Sequence, residues 1–193
     1  MQDKKNFYIN GQWVSPIEPR SFEVINPATE EPCAEISLGG KKDVDAAVTS
    51  AKKAFETWGF TTKEERLNLF EKLYEIYKKN WDQMAKTISL EMGAPIDFST
   101  ELQTKTGASH IKSFKNILKN FKFEKTLDEE KNQTILYEPK GVCALITPWN
   151  WPINQVNLKV IPALAAGCTV VLKPSEIAPL SSMLLAEMMH DAG

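Results

Sequence analysis

Short apolar runs separated by turn residues occupy the chain up to Gly40. Four of these runs are predicted to be strands: residues 7–9, 12–14, 22–25 and 33–38. Asn10 and Gly11 separate the first two runs, and this pair is typical of the tight turn of a β-hairpin. The region is therefore predicted to form a small antiparallel sheet.

From Lys41 the apolar residues recur every three or four positions, which is typical of amphipathic helices. Four helices are predicted: residues 41–58, 62–80, 81–91 and 97–121. Thr62 and Glu65 form a capping box, which predicts the start of the second helix. The apolar face predicted for the first helix consists of Val44, Ala47, Val48, Ala51, Ala54, Phe55 and Trp58.

The pattern changes again after residue 121. Residues 122–133 are highly charged, and the run 124–131 is interpreted as a solvated turn. Strands are predicted over 134–137, 142–146 and 169–172, and helices over 153–166 and 179–193. The last of these strands is apolar in both alternations, which predicts burial on both faces, as in a parallel sheet. The order strand, helix, strand, helix from residue 142 predicts a right-handed βαβ unit and an α/β fold.

Composition and charge exclude several classes of function. A net charge of −2 over 193 residues gives no electrostatic basis for binding nucleic acid or an anionic membrane. The apolar stretches are interrupted before they reach the length of about 18 residues that a membrane span needs. The N-terminus has no apolar segment of the secretory type, so a cytoplasmic location is expected. Three distant cysteines, Cys33, Cys143 and Cys168, and only two histidines predict no disulfide framework and no metal site.

Two loops follow the carboxyl ends of predicted parallel strands, which is where open parallel sheets bind ligands. The first loop covers residues 147–152 and the second covers residues 173–176. Both contain prolines that hold neighbouring amide, aromatic and charged groups in a preset geometry. The loops are therefore candidates for a binding site. The pattern alone leaves open that they are stiff connections with ordinary polar surface residues.

The first loop lies within a segment that resembles a family signature. Residues 141–152 read GVCALITPWNWP and are similar to the G-x-x-x-x-I-x-P-W-N-[FW]-P segment of the aldehyde dehydrogenase superfamily. Residues 159–176, KVIPALAAGCTVVLKPSE, resemble the helix and strand that follow it in that family. The string YING at residues 8–11 and the string NPAT at residues 26–29 match as well. The resemblance covers essentially the whole chain. It implies that the chain is the N-terminal portion of an NAD(P)-dependent enzyme with a Rossmann-like sheet.

The resemblance implies roles for individual residues of both loops. Asn150 matches the amide that donates a hydrogen bond to the oxyanion when a thiolate attacks the aldehyde. The wall of the nicotinamide side of the cofactor cleft is matched by Ile146, Thr147, Pro148 and Trp149. Lys173 and Glu176 match the pair beside the adenosine ribose, and a carboxylate there favours NAD over NADP. The alternatives are a solvated charge for Lys173, a surface acid for Glu176 and a loop-bracing role for Asn150.

The resemblance also implies a division of the chain. Residues 1–121 and 141–193 correspond to the N-terminal part of the NAD-binding domain. Residues 122–140 correspond to a protruding hairpin that joins the sheet of a neighbouring subunit, which implies a homodimer or a homotetramer. Ala178 stands where a Ser or Thr often precedes the proline of the last helix, so a weakened helix cap is expected.

The family's catalytic signatures are not found in these residues. None of the three cysteines has the F-x-x-x-G-Q-x-C context of the nucleophile, and neither the E-L-G-G-K context of the general base nor the glycine-bearing phosphate loop occurs. The catalytic domain is therefore expected to lie outside this chain, and the chain alone is expected to be inactive. A non-catalytic NAD-binding or interaction module remains an alternative. A second alternative is a relative of these dehydrogenases that transfers the acyl group to coenzyme A or is specific for a semialdehyde. The residues do not define which aldehyde is oxidised.

Overall fold

The computed structural model of the protein describes residues 1–128, 130 and 132–193. Its N-terminal strands are β1 (Gln2–Lys4), β2 (Phe7–Ile9), β3 (Gln12–Val14), β4 (Ser21–Asn26) and β5 (Glu31–Ser37). Strands β2 and β3 form an antiparallel hairpin whose turn residues Asn10 and Gly11 have φ values of 54° and 73°. This is the left-handed backbone that the Asn-Gly pair predicted. Strand β5 lies between β1 and β4 in a second sheet.

Strand β1 was not predicted, and it pairs in parallel with β5, whereas only antiparallel strands were expected in this region. Its sequence is polar and too short to show an alternation. The pairing uses backbone hydrogen bonds, which require no apolar side chain. Lys4 and Lys5 add ion pairs to Glu187 over 3.1 Å and to Glu35 over 2.7 Å. These long-range contacts leave no signal in the local pattern.

Three helices follow: α1 (Lys41–Trp58), α2 (Lys63–Lys79) and α3 (Trp81–Met92). The predicted capping box is confirmed, since the Thr62 N–H donates to the Glu65 carboxylate over 2.7 Å and the Glu65 N–H donates to Thr62 Oγ1 over 3.2 Å. The predicted apolar face of α1 is wrong at Val44, which is 52% exposed, and at Ala54, which is also exposed. Helix α1 meets the later sheet near Ala51, whose carbonyl accepts a hydrogen bond from Thr169 over 2.8 Å, and Val44 lies two turns away.

The single helix predicted over 97–121 has the expected extent, but it is not regular. A short helix α4 (Ile96–Phe98) continues through a π-helical segment, Ser99–Thr104, into α5 (Lys105–Asn120). A π-helical segment shifts the backbone hydrogen bonds by one residue, and a pattern of side-chain polarity does not record that shift. The Tyr77 hydroxyl of α2 donates to the Thr104 carbonyl over 3.0 Å, at the end of this segment.

The charged segment after α5 is a strand rather than the solvated turn that the charge pattern alone predicted, and it belongs to a hairpin of the kind that the family resemblance implies. Strand β6 (Glu124–Asp128) pairs antiparallel with β7 (Gln133–Leu136), which begins one residue before the prediction. Cross-strand backbone pairing tolerates charged side chains when both faces meet solvent, and here nearly every side chain is exposed. Residues 129 and 131 of the predicted turn lie outside the described residues.

The βαβ unit consists of β8 (Val142–Ile146), α6 (Pro152–Ala165) and β9 (Thr169–Lys173). A final helix, α7 (Leu180–Ala192), follows it. Strands β8 and β9 are parallel, which confirms the prediction. The expected burial of β9 on both faces is wrong, because Val170, Val171 and Leu172 are only partly buried. Within the described residues each of the two strands pairs only with the other, so one edge of each remains uncovered.

The main core lies between α2, α3, α5, α6 and α7, with Phe70, Tyr77 and Ile153 among its fully buried side chains. A smaller cluster joins β4 and β5 to the start of α7 through Val24, Ile36 and Leu180. The expected α/β class is therefore confirmed. In the part of the chain that the structure describes, no helix has both the length and the apolar character required to cross a bilayer.

Candidate active site

The two predicted loops begin at the same edge of the β8–β9 pair. Ile146 at the end of β8 lies opposite Lys173 at the end of β9. The Thr147 N–H continues the pairing by donating to the Lys173 carbonyl over 3.3 Å. Because parallel strands present their carboxyl ends together, the structure brings the loop 147–152 and the loop 173–176 side by side.

The first loop is anchored at both ends and exposed between them. Thr147 is buried, with 4% of its surface exposed, whereas Trp149 is 52% exposed and Asn150 is also exposed. Trp151 packs edge-on against Phe98, with 5.5 Å between the ring centroids. Asn150 is therefore held between two fixed points while its amide remains accessible.

Helix α6 begins directly after this loop, at Pro152, where a proline's fixed φ suits the first helical turn. The positive end of the helix dipole thus lies beside Asn150, and it favours negative charge there. The helix is fixed from its other side, because the Asn157 amide donates to the Gly107 carbonyl over 2.9 Å. His110 of α5 is half-buried, and its Nε2 lies 2.7 Å from the Asn154 side-chain oxygen.

The second loop carries an ion pair. Lys173 Nζ lies 2.5 Å from Glu176 Oε2, and 60% and 39% of the two side chains are exposed. The hydrogen bond from the Lys173 ammonium holds the pKa of the Glu176 carboxyl below its usual range. The loop is braced by Ser175, whose buried hydroxyl accepts the Ile177 N–H over 3.3 Å. Glu176 therefore presents an ionised, partly exposed carboxylate at the same edge as Asn150.

Comparison with known proteins decides the family. The profile of the aldehyde dehydrogenase family matches residues 13–193 of the chain. The chain belongs to the aldehyde dehydrogenase family. A 3-succinoylsemialdehyde-pyridine dehydrogenase from a Pseudomonas species is 48% identical over 100% of the chain and 40% of its own length.

Solved aldehyde dehydrogenases have the same fold. The enzyme from Bartonella henselae is 57% identical with a TM-score of 0.97, and the match covers 100% of this chain and 40% of that one. A mutant aldehyde dehydrogenase C from Pseudomonas syringae, solved with NAD⁺ and octanal, is 45% identical with a TM-score of 0.95 over 98% of this chain and 38% of that one. The chain thus spans about two fifths of the length of these relatives and corresponds to their N-terminal portion.

The cysteines of this aldehyde dehydrogenase chain are packed as small apolar side chains. Cys168 is buried and Cys143 lies beside it, half-buried, on the neighbouring strand. The Cys33 thiol donates to the Val24 carbonyl over 3.3 Å. Burial raises the pKa of the thiols of Cys33 and Cys143, which lowers the fraction present as reactive thiolate. Their environment fits a packing role.

Sequence reasoning missed one residue near the site, Glu91. This glutamate of α3 is fully buried, and its carboxylate accepts the backbone N–H groups of Leu180 and Ser181 at the start of α7. Burial raises the pKa of its carboxyl to about 7, against the opposing effect of these hydrogen bonds. The partners are separated by 89 residues along the chain, so no local motif indicates the contact.

Proposed function

We propose that the loops after β8 and β9 form part of the cofactor cleft and oxyanion site of an enzyme that oxidises an aldehyde to a carboxylic acid with NAD. The observation that carries this proposal is the register of β8 with β9. It puts the Asn150 loop and the Lys173–Glu176 pair at one sheet edge. Aldehyde dehydrogenase family membership supplies the reaction class.

The residues at this edge fit a dinucleotide. Ile146 and Trp149 are 73% and 52% exposed and offer an apolar wall of the kind that a nicotinamide ring requires. Glu176 offers a carboxylate that accepts hydrogen bonds from ribose hydroxyls. Bound NAD would accept the hydride that leaves the aldehyde carbon. Thr147 and Pro148 complete the wall by fixing the backbone between these groups.

Asn150 is assigned the role of oxyanion donor. When a thiolate adds to the aldehyde carbon, the carbonyl oxygen becomes negative, and the amide N–H stabilises that charge. The dipole of α6 acts in the same direction. Neither the nucleophile nor the general base is assigned to any of the three cysteines or to a residue of the two loops. Hydrolysis of the resulting thioester by water would release the acid.

Glu176 is proposed to determine the selectivity for NAD over NADP. Its ionised carboxylate would repel a 2′-phosphate, which favours NAD over NADP. Lys173, 2.5 Å away, compensates part of that repulsion, so a preference is expected rather than exclusion.

The hairpin of β6 and β7, within residues 122–140, is proposed as the oligomerisation element of a homodimer or homotetramer. Leu127 and Leu136 expose 65% and 62% of their surfaces on it, and a neighbouring sheet would cover them. The cytoplasmic location predicted from the sequence stays a prediction.

Asn150→Ala in the intact enzyme tests the proposal. Removing one oxyanion donor is expected to lower kcat by about 10²–10³-fold, while the dissociation constant of NAD stays nearly unchanged. Asn150→Asp should be at least as damaging, because a carboxylate repels the oxyanion. The matched control is Asn116→Ala, which removes an exposed amide on α5 away from the site.

Kinetics, NAD titration and melting curves are to be measured on the same variants. A kcat of Asn150→Ala within about threefold of the parent, equivalent to only ~0.65 kcal/mol, would contradict the oxyanion role. Loss of NAD binding and thermal stability together with rate would indicate that Asn150 only braces its loop.

A further inference from the structure

The carboxylate of Glu91 is the buried acceptor for the start of α7. None of its surface is exposed, and both oxygens are used. Oε2 accepts the N–H of Leu180, and Oε1 accepts the N–H of Ser181 over 3.0 Å. A buried carboxylate with two backbone donors holds them in a fixed geometry, because charge-assisted hydrogen bonds are short and directional.

These two N–H groups are the ones that a local cap would normally satisfy. Pro179 already has helical backbone angles, φ −94° and ψ −19°, and its carbonyl accepts the N–H of Met183 over 3.1 Å. The residue before it, Ala178, has no side-chain acceptor, so the first turn of α7 has no cap of its own. Glu91 supplies from α3 the acceptor that Ala178 lacks.

The cap determines where the second loop of the site ends. Glu176 lies four residues before Leu180; of the three residues between them, Ile177 is exposed, whereas Ala178 and Pro179 are buried. The other end of the loop is fixed at Lys173, whose carbonyl accepts the Thr147 N–H. Glu176 lies between these two anchors, so the position of its carboxylate depends on both of them.

We propose that Glu91 is a positioning residue for cofactor binding, which holds the start of α7 and thereby holds Glu176 where the ribose of NAD binds. This inference rests on the proposed role of Glu176. Glu91 itself touches neither cofactor nor aldehyde. Its effect is therefore on the affinity and selectivity for the cofactor and not on the oxyanion chemistry at Asn150.

The test uses Glu91→Gln in the intact enzyme, with NAD as the probe and calorimetry as the readout. Glutamine has one acceptor oxygen, so one of the two N–H groups loses its partner. The dissociation constant of NAD is expected to rise by up to roughly tenfold, the loss expected when a displaced Glu176 carboxylate no longer accepts a hydrogen bond from the ribose. The kcat at saturating NAD should stay within about threefold of the parent, because the Asn150 site is unaltered.

A double-mutant cycle shows whether Glu91 acts through Glu176. If it does, Glu91→Gln should add little to the rise in the NAD dissociation constant already caused by Glu176→Gln, since residues that act through one contact are not additive. The preference for NAD over NADP should fall in both single variants. Fully additive effects would overturn the proposal.

Leu118→Ala serves as the stability control, because Leu118 is buried in α5, on a different element from both anchors of the loop. An equal rise in the NAD dissociation constant in Leu118→Ala would show that only stability is at work and would overturn the proposal. Should Glu91→Gln fail to fold, Glu91→Asp keeps the charge but withdraws the carboxylate by one methylene. An unchanged NAD dissociation constant in that folded variant would equally overturn it.

The outcome separates this inference from the proposed function. A parent enzyme that binds NAD but oxidises no aldehyde contradicts the proposed function, while the calorimetry still decides the role of Glu91. A parent enzyme that binds no NAD contradicts both. An active parent whose NAD affinity is unaffected by either Glu91 variant contradicts the positioning role alone.

Discussion

Two glutamates on either side of the start of α7 have opposite pKa shifts. Glu176 is partly exposed beside the Lys173 ammonium, and the pKa of its carboxyl is lowered. Glu91 is enclosed in protein, and burial raises the pKa of its carboxyl to about 7. Both residues are glutamates, so the difference comes from their surroundings. Glu176 is a permanent negative charge, whereas Glu91 is a buried hydrogen-bond acceptor.

Stability should depend on pH through Glu91. Its pKa is raised from 4.5 to about 7 in the folded state, so unfolding releases a proton between these values. The free energy of unfolding should therefore fall as pH rises from about 4.5 to about 7, by about 3 kcal/mol at most, and show no further loss from this group above that range. Chemical denaturation across pH, compared between the parent and Glu91→Gln, isolates the contribution. Identical pH profiles for the two proteins would refute the assignment.

Cofactor preference should depend on Glu176. Glu176→Gln removes the charge that opposes a 2′-phosphate while leaving a hydrogen-bonding group and Lys173 in place. The ratio of kcat/KM for NAD to that for NADP is expected to fall by roughly tenfold, the size of one charge interaction near a surface. Glu56→Gln, an exposed glutamate of α1, is the control and should keep the parent ratio. An unchanged ratio in Glu176→Gln would remove the selectivity role.

At the scale of elements, the site depends on how α5 and α6 cross. Gly107 lies at the crossing, and its carbonyl receives the Asn157 amide of α6 over 2.9 Å. A Cβ built on Gly107 would lie 2.4 Å from the Tyr77 hydroxyl and 3.1 Å from an Ile153 side-chain carbon. Because α6 starts at Pro152, two residues after Asn150, the same close approach also affects the position of the proposed oxyanion donor.

Gly107→Ala is therefore expected to be destabilising. The new methyl group displaces either Tyr77, which is buried and bonded to the Thr104 carbonyl, or the whole of α6. Such overpacking costs about 1–3 kcal/mol. Ser109→Ala, at an exposed position of the same helix, should change the stability by no more than about 0.5 kcal/mol. Denaturant unfolding of both variants measures this, and equal stabilities would show that the crossing is less tight than described.

The sequence predicted those elements whose signals are local. The capping box of Thr62 and Glu65, the Asn10-Gly11 turn and the apolar strand around Val170 each need only neighbouring residues, and each was located correctly. Strand β1 was missed, and strand β6 was indicated only by the hairpin that the family resemblance implies for residues 122–140, because backbone partners define both strands rather than an apolar pattern. The π-helical segment was missed because hydrogen-bond register is not encoded in polarity.

The same distinction applies to the site. Asn150 and Glu176 were indicated by loops after strands and by a family signature, and the parallel pairing of β8 with β9 brings their loops to one edge. Glu91 had no such signal, because its partners Leu180 and Ser181 contribute only backbone N–H groups. The absence of an acceptor at Ala178 was visible in the sequence, but the residue that replaces it was not.

For the molecule as a whole, the uncovered sheet is the dominant feature. Strands β8 and β9 pair only with each other among the described residues, and Ile146 leaves 73% of its surface exposed. The relatives are about two and a half times as long, since the chain spans 40% of the dehydrogenases that it matches. Unpaired strand edges with apolar faces promote association.

The 193-residue chain on its own is therefore expected to associate and to melt without a sharp cooperative transition. It is also expected to produce no NADH from an aldehyde, because its cysteines lack a reactive environment. Size-exclusion chromatography, circular dichroism and an NADH assay measure these properties. A monodisperse monomer with a cooperative melt would contradict the first expectation. NADH formation that is abolished by mutating one of its cysteines would contradict the second.

The proposed dehydrogenase activity is tested most directly by aldehyde-dependent NADH formation in the intact enzyme, assayed with NAD and with NADP and accompanied by quantification of the acid. One NADH is expected for each molecule of carboxylic acid, together with a higher kcat/KM for NAD than for NADP and a loss of kcat of about 10²–10³-fold in Asn150→Ala. An intact enzyme that binds NAD but forms neither NADH nor acid from any of a range of aliphatic and aromatic aldehydes would contradict the proposed activity.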